Sequence, residues 1–356
     1  MLNRFKRIFL LSLSLSIFAS PVFAQPAGAR GDNFIYIVQR NDSIGMIAER
    51  FTSKPSHWRQ IKAYNRISNV HTVPVGKQIL IPFKYIDTIP EQARVSSLVG
   101  EVYLDQQRLE ADHRPHESQV ISTAANSSVT LTFSNGSTVA IAPNSIVTIQ
   151  RLRSFSGTGL IDAIFNAHVG SFTADVKANT GGIGRFEIRT PVSITGVRGT
   201  EVRNHVDTQG NTTVELLHGK TDVSTTQHTN QRLALSNQQG ININKGKLGT
   251  PLQLPAAPIV QTQLDLAKQE LSLQLQAVEP TPNFLVRYTL DQEGLREIAR
   301  FSTQELTTIL PLPQSTHRFY VQVRSINQQG MGGSDQPTLI VLQAPSEADS
   351  SVDKKS

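Results

Sequence analysis

Apolar positions recur along the chain with two different periods, and the change from one to the other divides it. Within residues 34–83 the stretch FIYIV is β-branched and aromatic, as strands are, and the turn RNDS leads from it into SIGMIAERF. There Ile44, Ile47, Ala48 and Phe51 fall at i, i+3, i+4 and i+7, which predicts a helix with one apolar face, capped by Asp42 or Ser43. Ser56 as a cap, followed by Trp58, Ile61 and Tyr64, marks a second short helix. After RISNVHTVPVG the apolar run QILIP predicts a returning strand. The unit reads strand, helix, helix, strand.

From residue 93 to 246 the helical period gives way to short alternating runs separated by Gly, Asn and Ser turns, the pattern of an all-β region. VTLTF, SNGS and TVAIAP form the clearest hairpin, because Asn135-Gly136 suits a tight turn that needs positive φ. NSIVTIQRL, RFEIRT, VSITG, TEVRNHV, TVELLHGKTDVS and RLALS continue in the same style, while GLIDAIFNA reads as a short helix or an apolar strand pair. KLGTPLQLPAAP, residues 247–258, is a proline-rich linker. Beyond it LSLQLQ, FLVRYTL, EIARFS, LTTILPL and RFYVQVRSINQQG predict evenly spaced strands over residues 259–343, and the polar tail 344–356 is expected to be disordered.

One stretch, TPVSITGVRGTEV at residues 190–202, looks like a signature. Phe186, Ile188, Thr190, Val192 and Ile194 are expected on one face at period two, with Gly196 and Gly199 where that run must bend. Arg198, between the glycines, is expected to reach Glu187, Glu201 or carbonyls left free at the bend, since a buried cation needs a partner. Gly196, Arg198, Gly199 and Thr200 are therefore read as structural rather than catalytic.

Composition changes the picture in three ways. The leader MLNRFKRIFLLSLSLSIFASPVFA carries Arg4, Lys6 and Arg7, then an apolar run from Ile8 to Ala19, then small residues up to Ala24. That is the form of a secretory signal peptide spanning residues 1–24, and its apolar run is shorter than a bilayer crossing needs. No later segment reaches that length either. The mature chain is expected to be exported to the periplasm, with no transmembrane segment, and residues 25–33 serve as a linker. With no cysteine in the sequence, disulfides, thiolate catalysis and cysteine-ligated metals are excluded. Of the formal charge of +6, three positive charges belong to the leader, and the remaining basic residues are scattered without a stripe of interleaved aromatics. Nucleic acid is therefore not an expected partner. A chain of 356 residues fits two or three modules better than one.

Residues 34–83 resemble a LysM module, the small α+β fold that binds N-acetylglucosamine-containing polymers such as peptidoglycan. The matching residues are Ile37-Val38 before the turn, Asp42-Ser43, Ile47-Ala48, Asn65, and Val75-Gly76 leading to Ile79, Ile81 and Pro82. Asn41 stands where the family usually has glycine, and asparagine tolerates the left-handed backbone such a turn needs. The resemblance implies a glycan groove between two loops: Asn41, Asp42, Ser43, Ile44 and Gly45 on one side, and Asn69, Val70, His71, Thr72 and Val73 on the other. Short polar chains and backbone amides there would grip an N-acetyl group while Ile44 and Val73 cover its methyl.

Residues 93–246 resemble the sensor region of the FecR family. The resemblance rests on Ser134-Asn135-Gly136-Ser137 with Ala142-Pro143-Asn144, then on Phe186-Glu187-Ile188-Arg189-Thr190-Pro191, Gly196-Val197-Arg198-Gly199-Thr200 and Leu217-His218-Gly219-Lys220. It implies a twisted β-solenoid or sandwich. Residues 259–343 are similar to a fibronectin type III β-sandwich, through Tyr320, Val321, Val323, Arg324, Asn327 and Gly330, although the tryptophan usual in an early strand is absent. The fold class that follows is multidomain and mainly β: a small βααβ module, an all-β domain and a β-sandwich.

Catalytic chemistry finds little support. NTGGIGRF has no lysine after its glycines and reads as a β-turn rather than a phosphate loop. Asp112, His113, His116 and Glu117 gather four metal-ligand types, but Pro115 breaks any helix that would align them. His168, His205 and His218 stand apart in strand contexts, with no nucleophile elbow beside them. No catalytic residue, metal or cofactor is assigned. The expected function is that of a non-catalytic periplasmic protein which binds peptidoglycan through LysM and presents its two β modules to an envelope protein. The alternatives are a FecR-type sensor adaptor that contacts a membrane partner, and a cell-wall hydrolase.

Overall fold

The computed structural model describes residues 28–342 apart from 31, 53, 178–183, 279–280, 282 and 315, and for Arg198 and residues 28–30 it describes the backbone only. The leader 1–24 and the tail 344–356 lie outside the described residues, as does most of NTGGIGRF.

The N-terminal unit packs helices Ile44–Phe51 and Trp58–Tyr64 on an antiparallel sheet of three strands, Gly28–Arg30, Asn33–Ile37 and Gln78–Pro82. Ile44, Ile47, Ala48 and Phe51 are all buried, as their spacing predicts, and the Ser43 hydroxyl caps the first helix by accepting from Met46 N at 3.2 Å. Gly28–Arg30 falls in the segment expected as a linker. It pairs with Asn33–Ile37 because that strand would otherwise leave an open backbone edge, a cause that no side-chain pattern records.

This small core is completed from elsewhere in the chain. The hairpin joining Ile146–Phe155 to Leu160–Asp175 inserts Phe155 and Leu160 among Phe51, Ile61 and Ile81. Phe155 stacks on Phe83 with ring centres 4.2 Å apart, and Asp87 bridges the two units, its N–H donating to Phe51 O and its carbonyl accepting from Ser156 N. Phe155→Ala is expected to cost about 3 kcal/mol, the ordinary loss for a buried phenylalanine. Because Phe155 lies in the small core, calorimetry should show the N-terminal unit melting first while the β region holds; a uniform shift of all transitions would contradict this docking.

Residues 88–253 form one 16-stranded sheet wound around a single apolar core. Its longest strand, Leu160–Asp175, contains all of GLIDAIFNA but its first glycine, which lies in the preceding turn, so this stretch is a strand and not a helix. Ile161, Ala163, Phe165 and Ala167 point into the main core, while on the other face Leu160 enters the N-terminal unit and Asp162 is buried by Arg151 and Arg185. A strand covered on both faces loses the polar alternation that would mark it.

The signature turns its corner earlier than the glycines suggest. Strand Arg185–Arg189 ends at a tight turn in which Thr190 N donates to Ser193 O and Thr190 Oγ1 accepts from Ser193 N, both at 2.9 Å. That turn inverts the phase: Phe186, Ile188 and Thr190 are buried, and then Ser193, Thr195 and Val197, while Val192, within the turn, is half-buried against the main core and Ile194 is half-buried on the opposite side. The expected single face of five residues is thus corrected, because the turn at Pro191 changes the parity of everything after it. Gly196 lies inside strand Ser193–Val206, flanked by Glu187 and Asp222. The irregularity comes at Gly199, where φ is 61° and the pairing register shifts between Arg198 and Glu201. Glu187, one expected partner of Arg198, is held by Arg189 at 2.7 Å; the Arg198 side chain itself lies outside the described residues.

The C-terminal unit is a sandwich of a three-stranded sheet, ordered Ile259–Asp265, Glu270–Gln276, Thr307–Pro311, and a four-stranded sheet, ordered Glu297–Thr303, Asn283–Thr289, Arg318–Ile326, Gln336–Val341. Tyr288 and Phe319 fill its core, with ring centres 4.8 Å apart. The proline-rich segment before it is no free linker. Lys247–Leu248 and Leu252–Gln253 pair with Gln239–Asn244, and Leu254 is buried against Leu217 and Met331. The edge of Gln239–Asn244 offers unpaired backbone that these short segments satisfy.

Candidate functional site

The two loops expected to form a glycan groove meet. Ile44 N donates to Val70 O at 3.2 Å, which joins the turn before the first helix to the loop before the returning strand. Asn41 has φ 72°, the left-handed conformation that asparagine accepts more readily than most residues.

Side chains in these loops divide into a buried set and a solvent-facing set. Asp42 is buried, and its carboxylate accepts from the Tyr36 hydroxyl and Gln39 N, each at 2.7 Å, and from Arg50 Nη2 at 3.3 Å. Asp42 therefore holds the turn. Burial, and then the hydrogen bond to Asp42, push the Tyr36 hydroxyl up to about 12. Ile44 and Val73 are packed in the core beneath the loops. Asn41, Asn69, His71 and Thr72 are exposed, and the second loop is braced from within: Asn69 Nδ2 donates to Thr72 Oγ1 at 2.9 Å and Asn69 Oδ1 accepts from His71 N at 3.0 Å. A ligand in this groove would meet backbone groups and those polar chains; Ile44, with no exposed surface, and Val73, 6% exposed, belong to the core and, contrary to expectation, do not cover a ligand's methyl.

Gly45 and Met46 complete the rim. A Cβ on Gly45 would meet only Ser43 Oγ, at 3.8 Å, so the fold leaves the space above it open. Met46 is 49% exposed beside it, and its signal in the sequence was an apolar residue off the helix's buried face. Asn65 ties the end of the second helix to the returning strand, its amide bonded to Ile61 O, Leu80 O and Leu80 N at 2.7–2.8 Å.

The other candidates do not converge. His113 Nδ1 accepts from Glu110 N, His116 contacts its neighbour's carbonyl, and Glu117 forms a paired salt bridge to Arg153 with both contacts at 2.7 Å. His168 and His205 each bond a hydroxyl, of Thr148 and Ser171 respectively. Among the described residues no three acidic or histidine side chains are grouped to hold a metal ion.

Residues 36–82 match the LysM domain family, and residues 119–222 match the FecR protein family. The chain carries a LysM module and a FecR domain. The LysM match begins inside strand Asn33–Ile37 and ends with strand Gln78–Pro82, so it contains both groove loops. The FecR match contains the corner at Pro191 and the bulge at Gly199. Both families are binding or signalling modules. No curated protein matches the chain. Among solved structures, the FN1–FN3 domains of chicken CNTN1 share 11% identity at a TM-score of 0.22, covering 72% of this chain and 98% of that one. The central fibronectin-III array of RIM-binding protein shares 11% at 0.19, covering 71% and 97%. The fibronectin type III-like character of the C-terminal unit rests on its own strand order, three strands facing four. No described helix is long and apolar enough to cross a membrane.

Proposed function

We propose that this is an exported, non-catalytic cell-envelope protein that docks on peptidoglycan through its LysM groove and holds the FecR and fibronectin-like domains out for contact with an envelope protein. The observation that carries the reading is the bond from Ile44 N to Val70 O, which makes one groove of two loops belonging to a matched LysM module. The basic and apolar leader supports export to the periplasm. Docking at the far end of the first helix, around Phe51, leaves the groove at its near end uncovered.

Co-sedimentation of the mature protein with purified sacculi tests the reading, with muropeptide release assayed in the same tubes. Removing the whole LysM segment would strip cover from Phe155 and Leu160, so a point change is the better control. Gly45→Leu should keep the helix as stable or improve it by up to about 1 kcal/mol, because leucine is the better helix former, yet abolish pelleting by filling the groove. Wild-type protein that stays in the supernatant would overturn the docking role. Release of muropeptides would establish a hydrolase instead.

A second reading is favoured by the FecR match: an adaptor whose β domains engage a membrane partner while LysM sets its position. Under it, Gly45→Leu retains the partner and loses only its place on the wall.

A further inference from the structure

The FecR sheet and the four-stranded sheet of the C-terminal sandwich face each other across a polar seam. Ser128 Oγ donates to Glu297 O at 2.8 Å, Thr130 Oγ1 to Leu295 O at 2.9 Å, and Arg203 Nη2 to the carbonyls of Gly332 and Gly333, both at 2.7 Å. Between these contacts the seam opens into a cavity of about 400 Å³, a volume typical of small-molecule sites.

The lining is unbalanced in charge. Arg203, Arg287, Arg300 and Arg324 face the cavity against two carboxylates, Glu215 and Glu297. Behind them the single carboxylate of Asp335 accepts from Arg324 at 2.7 and 2.8 Å and from Arg287 at 2.8 Å, and lies 3.6 Å from Arg203. Asp335 thus touches three guanidinium groups, each only 8% exposed; Arg203 is also paired with Glu215 at 2.8 Å and Arg287 with Glu297 at 3.2 Å, so that with Arg300 four guanidinium groups share three carboxylates. Arg203 Nε lies 2.8 Å from Glu215 Oε2, while Arg203 Nη1 and Arg287 Nε are buried without a well-directed acceptor. Burial, and then the neighbouring Arg203, push Arg324 below its ordinary value, as expected where like charges crowd. Arg300, 31% exposed, stands nearer to solvent and is held by Glu297.

The rest of the lining is mixed: Ser171, Asn204 and His205 are among its polar members, and one part of it is aliphatic. Ala140 and Ala142 alternate with the core residues Val139 and Ile141, so their methyls face the seam, opposite Leu285, Leu295 and Ile326 from the sandwich. Larger side chains at the two alanines would close the space.

We propose that this seam binds a small organic carboxylate, its anionic group received by the arginine wall and its aliphatic body by Leu285, Leu295 and Ile326. Binding would tie the FecR and fibronectin-like domains together, since the two walls come from different domains.

Butyrate, one carboxylate on a short aliphatic body, is the probe. Titration calorimetry of the full chain at constant ionic strength should show saturable binding of one butyrate per chain, with sodium chloride giving none. Arg300→Gln, a half-buried position whose loss the fold tolerates, should weaken binding by about tenfold, the scale of one charge-assisted contact. Ala140→Leu should abolish it by filling the cavity, and the unliganded Tm of each variant checks folding. Absence of saturable heat with wild type overturns the proposal, as does equal affinity in wild type and both variants, which would mean that butyrate only screens the charge network.

Discussion

Gly219→Ala is expected to destabilise the FecR domain by about 2–5 kcal/mol, the sum of a backbone and a packing effect. Gly219 has φ 96°, a conformation that an L side chain resists. A Cβ there would fall 2.3 Å from Thr200 Cγ2 and 2.8 Å from Gly199 O. Thr200 is buried and cannot swing clear, and Gly199 is anchored at the register shift of strand Ser193–Val206. The Gly199-Thr200 and His218-Gly219 motifs are thus two halves of one close approach between adjacent strands. Gly136→Ala is the control. It too has positive φ, 79°, but a Cβ there meets nothing within 4 Å, so only the backbone cost of about 1 kcal/mol should appear. Denaturant unfolding of the two variants separates the terms, and equal losses would show that the contact with Thr200 is relieved at no cost.

Asp335→Asn is expected to cost about 3 kcal/mol near neutral pH. The change leaves Arg324 facing a neutral amide in a largely buried seam, while Arg287 keeps only Glu297, and an unpaired buried cation is far costlier than an unpaired surface one. The estimate sits at the low end for buried pairs because the Asp335 side chain keeps 20% of its exposure. The pH dependence has a definite sign. Arg287, Arg324 and Arg203 together outweigh burial and hold the Asp335 carboxyl well below the usual carboxylate range. A depressed carboxyl contributes stability that is present above its ordinary value near 4 and is lost as pH falls toward its folded one. The deficit of Asp335→Asn should therefore be constant from about pH 5 upward and shrink below about pH 4. Urea midpoints of both proteins across that range decide the matter; a deficit that grows in acid would show that the carboxylate is not what holds the guanidinium groups.

What could be read from the sequence was local. In the LysM module the helix period, the Ser43 cap and the left-handed turn at Asn41 involve residues a few positions apart, and each is found where its spacing predicts. The Asn135-Gly136 hairpin is of the same kind, with Gly136 at φ 79° between paired strands. The groove loops were legible through family resemblance. Which of their side chains face solvent was not, because Asp42 is turned inward by Tyr36 and Arg50, at separations no short pattern spans.

The rest was decided by pairings between distant segments. Strand Leu160–Asp175 lost its alternation because both its faces are covered, one of them in part by the LysM core. The burial phase after Pro191 depended on the length of one turn, and a single residue of difference there exchanges the faces of everything that follows. The seam gathers Arg203, Glu215, Arg287, Glu297, Arg324 and Asp335 from two domains. Five are ordinary polar positions in their own strands, and Asp335 lies in the loop just before strand Gln336–Val341. Periodicity records which face of an element is buried, since that is set by neighbours along the chain; which elements then meet, and which charges they bring together, is set by many weak contacts summed across the fold, and only the tertiary structure contains that sum.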